Sequence, residues 1–322
     1  DLTGGQEIEG AKMQILDQEG KVVEEWVSKK EAHVVYALAP GEYILHEEQA
    51  PTEQGYVRAE DVKFVVEETG DVQKVKMEDD HTKVSISKTD ITDGKEIEGA
   101  KLQILDQDGE VVESWTTGEE HLIEYLPVGT YTLHEEAAVD GYIVANDVEF
   151  TVEETGEIQK VKMEDERAMG QLVIVKTDTD SKAALEGVEF VLLEKETGKE
   201  VGRLKTGKDG KAVSELLPIG TYENGVFKEP ITYVLKETAT LKGYEKTEEE
   251  WEIVFTYQND KTPVIEVVKE IQNKKIPETP GTVKPGPKTG DDTNWFLPLL
   301  ALGVSAGMVA GLLYYRKRHK KA

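Results

Sequence analysis

KVSISKTD, Lys83–Asp90, is the stretch on which the reading of the whole chain turns. Read with the two-residue period of a β-strand, it sets Val84, Ile86 and Lys88 on one face and Ser85, Ser87 and Thr89 on the other. The lysine falls on the apolar face although a polar face is available. A strand that points an ammonium group toward its own core calls for a partner or a reaction.

The surroundings of this strand repeat along the chain. IEGAKMQILDQ (residues 8–18) and IEGAKLQILDQ (residues 97–107) differ only at Met13 and Leu102. The match continues through Trp26 and Trp115, through YILHEE (43–48) and YTLHEE (131–136), to two copies of KVKMED at 74–79 and 160–165. A more distant third copy carries GVEFVLLEKETGKEV (187–201), LLPIGTY (216–222), YVLKETATLKGY (233–244) and VVKEIQN (267–273). Within each copy the apolar runs are short, alternating and rich in Val, Ile and Tyr, and turns such as DQEG, DQDG and GKDG separate them. That pattern predicts an all-β fold of three tandem β-sandwich repeats, at 1–80, 81–167 and 168–276.

Two further positions share the oddity of Lys88. In the second copy Tyr131, Leu133 and Glu135 alternate onto one face, as do Val161, Met163 and Asp165. The third copy offers Leu172, Ile174 and Lys176, then Tyr233, Leu235 and Glu237, then Ile271 and Asn273, with Lys269 also in phase with Ile271. The first copy keeps Tyr43, Leu45 and Glu47, and Val75, Met77 and Asp79. Its lysine would stand two positions before Asp1, so the first repeat is expected to be truncated and the chain to be a fragment.

Two plain readings compete with a chemical one. Each polar group could sit at a strand end and turn out to water, its stem covering the rim of the core, or the groups could form a simple buried ion pair, which often adds little net stability. Recurrence of the trio at matching positions favours an intramolecular amide. Burial lowers a lysine's pKa and raises a carboxylic acid's, so both can be neutral. A neutral Glu could then polarise the Asp or Asn carbonyl and shuttle protons while the lysine nitrogen attacks, with proximity supplied by the fold.

SKTD, the GA-x-x-x-x-L-D core, YTLHEEAAVDGY and the closing MED resemble the collagen-adhesin B-type repeats, or SpaA-type prealbumin-like domains, of Gram-positive surface proteins. The resemblance spans all three copies. It implies a prealbumin-like or Ig-like β-sandwich whose first and last strands are joined by an isopeptide bond. By position, the bonds would be Lys88 to Asp165 assisted by Glu135, and Lys176 to Asn273 assisted by Glu237. Glu47 and Asp79 are the equivalents in the first copy, which has no lysine to close its bond. Val139 stands where the family usually has proline.

Composition bounds the remaining possibilities. Sixty-five acidic against 38 basic side chains give a net charge of −27, which repels nucleic acid. The absence of cysteine removes disulfides, thiolate metal sites and a cysteine nucleophile. Residues 277–294 form a proline-rich linker, read as an extended spacer. Residues 295–315 (WFLPLLALGVSAGMVAGLLYY) are uncharged; at about 1.5 Å per residue they would span roughly the hydrocarbon thickness of a bilayer as one transmembrane helix. The basic tail, 316–322, is expected on the cytoplasmic side. Pro287, Lys288, Thr289 and Gly290 ahead of that span look like a cell-wall sorting signal, with Gly286 in place of the usual leucine. This order implies sortase and peptidoglycan as partners, the membrane as a station before sorting, and an extracellular cell-wall location. An uncleaved membrane anchor is the plainer alternative.

His46 and His134 lie beside the inward glutamates but on the opposite strand face, with no spaced histidine partner for a metal. Asp178 and Asp180 begin like a calcium loop, yet Lys182 and Ala183 break it. No metal or cofactor site and no enzyme of external substrates are expected. The reading is a sortase-anchored stalk or adhesin of isopeptide-stabilised domains; the alternatives are an adhesin that binds a host or matrix ligand with these repeats as its stalk, and an accessory pilin subunit.

Overall fold

The computed structural model describes residues 1–277. The linker with its sorting motif, the apolar span and the basic tail lie outside the described residues apart from Pro277. Among the described residues the protein is all-β, with one short 3-10 turn at Thr52–Gln54 and no helix long and apolar enough to cross a membrane.

Repeat 1 contributes β1 (Lys12–Leu16), β2 (Val22–Val27), β3 (Gly41–Gln49), β4 (Tyr56–Val57), β5 (Val62–Val66) and β6 (Asp80–His81). Repeat 2 contributes β7 (Lys83–Asp90), β8 (Lys101–Leu105), β9 (Val111–Thr116), β10 (His121–Glu124), β11 (Gly129–Ala137), β12 (Tyr142–Ile143), β13 (Val148–Val152) and β14 (Ile158–Arg167). Its sheets run β10-β7-β14-β12 and β13-β11-β8-β9. Between them lie Val84, Ile86, Leu102, Ile104, Leu133, Val152 and Met163, all at most 2% exposed, the alternation expected of two facing sheets.

Repeat 3 contributes β15 (Met169–Asp178), β16 (Glu189–Glu194), β17 (Glu200–Lys205), β18 (Lys211–Val213), β19 (Leu217–Pro218), β20 (Gly220–Glu223), β21 (Val226–Pro230), β22 (Thr232–Ala239), β23 (Glu250–Val254) and β24 (Val264–Asn273). One sheet centres on β15, paired with β18, β19 and β24; the other runs β17-β16-β22-β23. The β20–β21 hairpin is an addition without a counterpart in the other repeats.

In both complete repeats the first and last strands lie side by side and parallel: β7 with β14, and β15 with β24. The registers put Lys88 opposite Met163 and Lys176 opposite Ile271, so Asp165 and Asn273 sit two residues further along on the lysine's own face. Lys269 is half-buried, its amine 5.9 Å from the centre of the Trp251 ring, which resolves its in-phase position without a place in the site.

One expectation is corrected. The face of β7 read as polar is also largely covered: Ser85 is buried and donates to Glu120 Oε1, and Thr89 lies under the loop that returns to bridge it at Glu96. Repeat 1 pairs its strands in a four-stranded sheet, β2-β1-β3-β5, and a two-stranded one, β4-β6. Its KVKMED at 74–79 forms no strand, although the identical 160–165 lies within β14. The difference is the partner: β14 pairs with β7, and residues 1–79 hold no counterpart of β7. Val75 is exposed and Met77 half-buried in consequence, while Asp79 stays buried.

Adjacent repeats meet in the same way twice. Gly55 (φ +78°) faces the Tyr125 backbone, and a Cβ there would lie 2.3 Å from the Tyr125 carbonyl oxygen. Thr82 N donates to Gly55 O at 2.8 Å and Val128 N to Thr52 O at 3.1 Å. Gly141 (φ +89°) faces Phe227 and the Tyr222 hydroxyl, at 2.8 and 2.9 Å from its would-be Cβ. We expect Gly141→Val to cost about 1–3 kcal/mol in a thermal melt, from strained backbone alone. Limited proteolysis should show faster cleavage between repeats 2 and 3 in the variant; an unchanged melt and digestion pattern would mean that the junction carries no such constraint.

Candidate functional site

Alternation on β7, β11 and β14 turns three polar groups inward at one end of the repeat 2 core. Lys88 is 1% exposed, Glu135 2% and Asp165 0%. Lys88 Nζ lies 2.9 Å from Glu135 Oε2 and donates to Asp165 Oδ1. Glu135 Oε2 also accepts the Ala145 N–H at 2.6 Å, which fixes the carboxyl's orientation.

The other oxygens, Glu135 Oε1 and Asp165 Oδ2, have no donor if both groups are ionised. Two buried acceptors facing each other are satisfied when one carries a proton, and the pair then hydrogen-bonds. Burial first, and then the neighbouring Glu135 charge, push the Asp165 carboxyl far above the usual range against the opposing pull of Lys88. The site is thus built to hold a protonated carboxyl beside an amine.

Repeat 3 arranges the same chemistry with an amide. Lys176 Nζ donates to Glu237 Oε2 at 2.8 Å and to Asn273 Oδ1 at 2.5 Å, while Asn273 Nδ2 donates to Glu237 Oε1 at 2.7 Å and to Thr240 Oγ1 at 2.7 Å. Glu237 therefore touches both the nitrogen that would attack and the nitrogen that would leave. Burial pushes the Lys176 amine down, opposed by its contacts with Glu237, with the Phe190 ring centre 5.7 Å away. A lowered amine is more readily neutral, the form in which it is a nucleophile.

The sequence trios therefore converge in both complete repeats. In repeat 1 Glu47 and Asp79 are brought together, both buried and without a lysine. His46 and His134 point to the other face, paired with Asp61 at 2.6 Å and Asp147 at 2.7 Å. Asp178 Oδ1 accepts from Asp180 N, Ser181 N and Ser181 Oγ in a local turn. No cluster of metal-ligating side chains occurs among the described residues. Pro287, Lys288, Thr289 and Gly290 lie outside them.

A second layer escaped the sequence reading. Asp90, in register with Asp165, accepts from Tyr142 Oη at 2.8 Å and Arg167 Nε at 2.6 Å. The repeat 3 equivalents are Asp178, Tyr244 and Lys275, with Tyr244 donating to Asp178. The sequence signal for this layer is the recurrence of K-T-D at 88–90 and 176–178 and of G-Y at 141–142 and 243–244.

Burial first, and then Asp79, push the Glu47 carboxyl up to about 7 although the Ala59 N–H at 2.7 Å opposes them; Asp79 is raised by burial as well. The folded repeat holds a proton that the unfolded chain releases, so this contribution is full below the ordinary value of 4.5 and is lost as pH rises through about 7. Hydrogen exchange of β1 and β3, corrected for intrinsic rate, should therefore be faster at about pH 8 than at about pH 5. Glu47→Gln should flatten that dependence; equal protection at both pH values in the wild type would contradict it.

A model of the SpaA prealbumin-like fold domain matches residues 1–81, 82–167 and 170–230. Among solved structures, the Bacillus anthracis TIE protein is 28% identical, with a TM-score of 0.52, over 84% of this chain and 49% of that one. This chain thus spans about half the length of that relative. A streptococcal ancillary pilin (16% identity, TM-score 0.33, 86% and 95% covered) and the major pilin subunit of Bacillus cereus (16%, 0.42, 85% and 97%) are also similar. The curated proteins hold no sequence match to the chain. With three copies of the domain model accounting for most of its length, the chain belongs to the SpaA prealbumin-like fold domain family.

Proposed function

We propose that the chain is the stalk of an extracellular, sortase-anchored cell-wall protein whose complete repeats lock themselves with intramolecular amides. The observation that carries this reading is Glu237 in contact with both Lys176 Nζ and Asn273 Nδ2. In repeat 3 the neutral amine attacks Asn273 Cγ and the Nζ–Cγ bond forms. Glu237 relays a proton from Nζ to Nδ2, the Cγ–Nδ2 bond breaks, and ammonia leaves. In repeat 2 Lys88 attacks Asp165 Cγ, Glu135 relays the proton to the carboxyl's hydroxyl, and water leaves. No external substrate turns over.

Each link would close a loop between residues 77 apart in repeat 2 and 97 apart in repeat 3. By analogy with a disulfide, each adds on the order of 4 kcal/mol through the denatured state. Tension entering through β7 and leaving through β14 would pass along the covalent link and bypass the strands between. That suits an extracellular stalk without cysteines. PKTG at 287–290, the apolar 295–315 and the basic 316–322 support covalent attachment through Thr289 to peptidoglycan after sortase cleaves the Thr289–Gly290 bond.

We expect the purified chain to be lighter than its sequence by one water and one ammonia on intact-mass measurement. Lys88→Ala or Glu135→Ala should restore the water, and Lys176→Ala or Glu237→Ala the ammonia; a folded wild-type chain of full mass would sink the bonds. In wall digests the mature protein should end at Thr289, and the C-terminal tail should persist in Thr289→Ala. An intact tail in the wild type would instead leave an uncleaved membrane anchor.

A further inference from the structure

The end of repeat 2 that holds its trio is not closed by repeat 2 alone. Asp90 is fully buried and its backbone stands in register with Asp165, so its carboxylate sets a negative charge on the same inward face as Asp165. Burial opposes that charge, but bonds from Thr92 N, Tyr142 Oη and Arg167 Nε outweigh it and hold Asp90 below the usual range. Arg167 supplies the compensating charge and is tied further to Asp93 at 3.0 Å.

What holds Arg167 and Tyr142 comes from repeat 3. The guanidinium carbon lies 4.1 Å from the centre of the Tyr222 ring, on the β20–β21 hairpin. The same ring meets Tyr142 edge-on at 5.2 Å, and its hydroxyl donates to Gly141 O at 2.8 Å. Tyr257 Oη donates to Tyr142 O at 3.0 Å. At the hairpin's tip Gly225 sits on the Glu96–Ile97 backbone, where a Cβ would be 2.1 Å from Glu96 O. That segment backs the nucleophile: Glu96 Oε2 accepts the Lys88 N–H, and Ile97 N donates to Lys88 O.

Repeat 3 has no such dependence among the described residues. Asp178 takes its donors from its own turn, at Asp180 and Ser181, and from Tyr244 of its own repeat. The two trios are alike, but only one has its supporting layer clamped by a neighbouring domain.

We propose that the β20–β21 hairpin of repeat 3 acts across the domain boundary to position the Lys88–Glu135–Asp165 centre, with Tyr222 holding Arg167, so that amide formation in repeat 2 is hastened by repeat 3 docking. Tyr222 and Arg167 are positioning residues; neither touches the reacting atoms. The inference rests on the amide reading given above. It makes maturation of the stalk ordered, because repeat 2 closes at full rate only beside a folded neighbour.

The test is a time course on the whole chain made by cell-free synthesis and quenched in acid, with the cross-linked peptides of both repeats quantified by mass spectrometry. Tyr222→Ala and Arg167→Gln should each slow the Lys88–Asp165 amide on the order of tenfold, the scale of a small misplacement of reacting groups. The Lys176–Asn273 amide in the same molecules should keep its wild-type rate. Tyr222→Phe, which keeps the ring over Arg167, should restore most of the lost rate, a rescue that simple loss of folding would not give. Repeat 2 closing at wild-type rate in both variants would overturn the inference, as would equal slowing of both amides, which would mark a general folding defect. A wild-type chain that forms neither amide would remove the underlying reading instead.

Discussion

Parallel pairing of the first and last strands is the constraint on which each complete repeat depends. β7 and β14, separated by the whole of repeat 2, run side by side, and their register sets Lys88 diagonal to Asp165 on a common inward face. A shift of one residue would turn one of the two groups to the opposite face. The second sheet then has one remaining task at the site, which is to present Glu135 from β11 against the pair. Repeat 3 meets the same constraint with β15, β24 and β22. The core and the convergence of the three polar groups are two consequences of one register.

Repeat 1 shows what happens where that pairing is absent. Its KVKMED is identical to that of repeat 2, so local propensity cannot explain why one copy is a strand and the other is not. A strand's hydrogen bonds belong to its partner as much as to itself. Glu47 and Asp79 are nonetheless buried together, because β3 and the end of 74–79 still pack around the remaining sheet. With no lysine between them, burial first and then their mutual repulsion raise the pKa of Glu47, and burial raises that of Asp79 against the pull of the N-terminal ammonium.

Burial acts twice in these centres. It pushes the Asp165 carboxyl up in repeat 2 and the Lys176 amine down in repeat 3, and it excludes the water that would solvate them. In the proposed reaction the glutamate's contacts with both partners would serve as the proton path. In that proposal the carboxyl at Asp165 and the carboxamide at Asn273 would differ only in the leaving group, and one geometry would serve both repeats. The neighbouring Asp90 and Asp178 show that the supporting layer can be furnished from within the repeat or from the next one.

Much of this was legible in the residues. Near-identity of 8–18 and 97–107 established the repeats, and two-residue alternation placed Lys88, Glu135 and Asp165 inward, because strand periodicity is local and each copy checks the others. The same logic could not show that Ser85 and Thr89 are covered, that 74–79 lacks a strand partner, or that Lys269 rests over Trp251, since each depends on a distant segment. Nor could it join Arg167 to Tyr222, which lie in different repeats and meet only through the docking of an added hairpin. The sequence by itself determined which side chains face the core; the tertiary structure alone decided which of them meet, because strand periodicity sets a direction and only packing sets a distance.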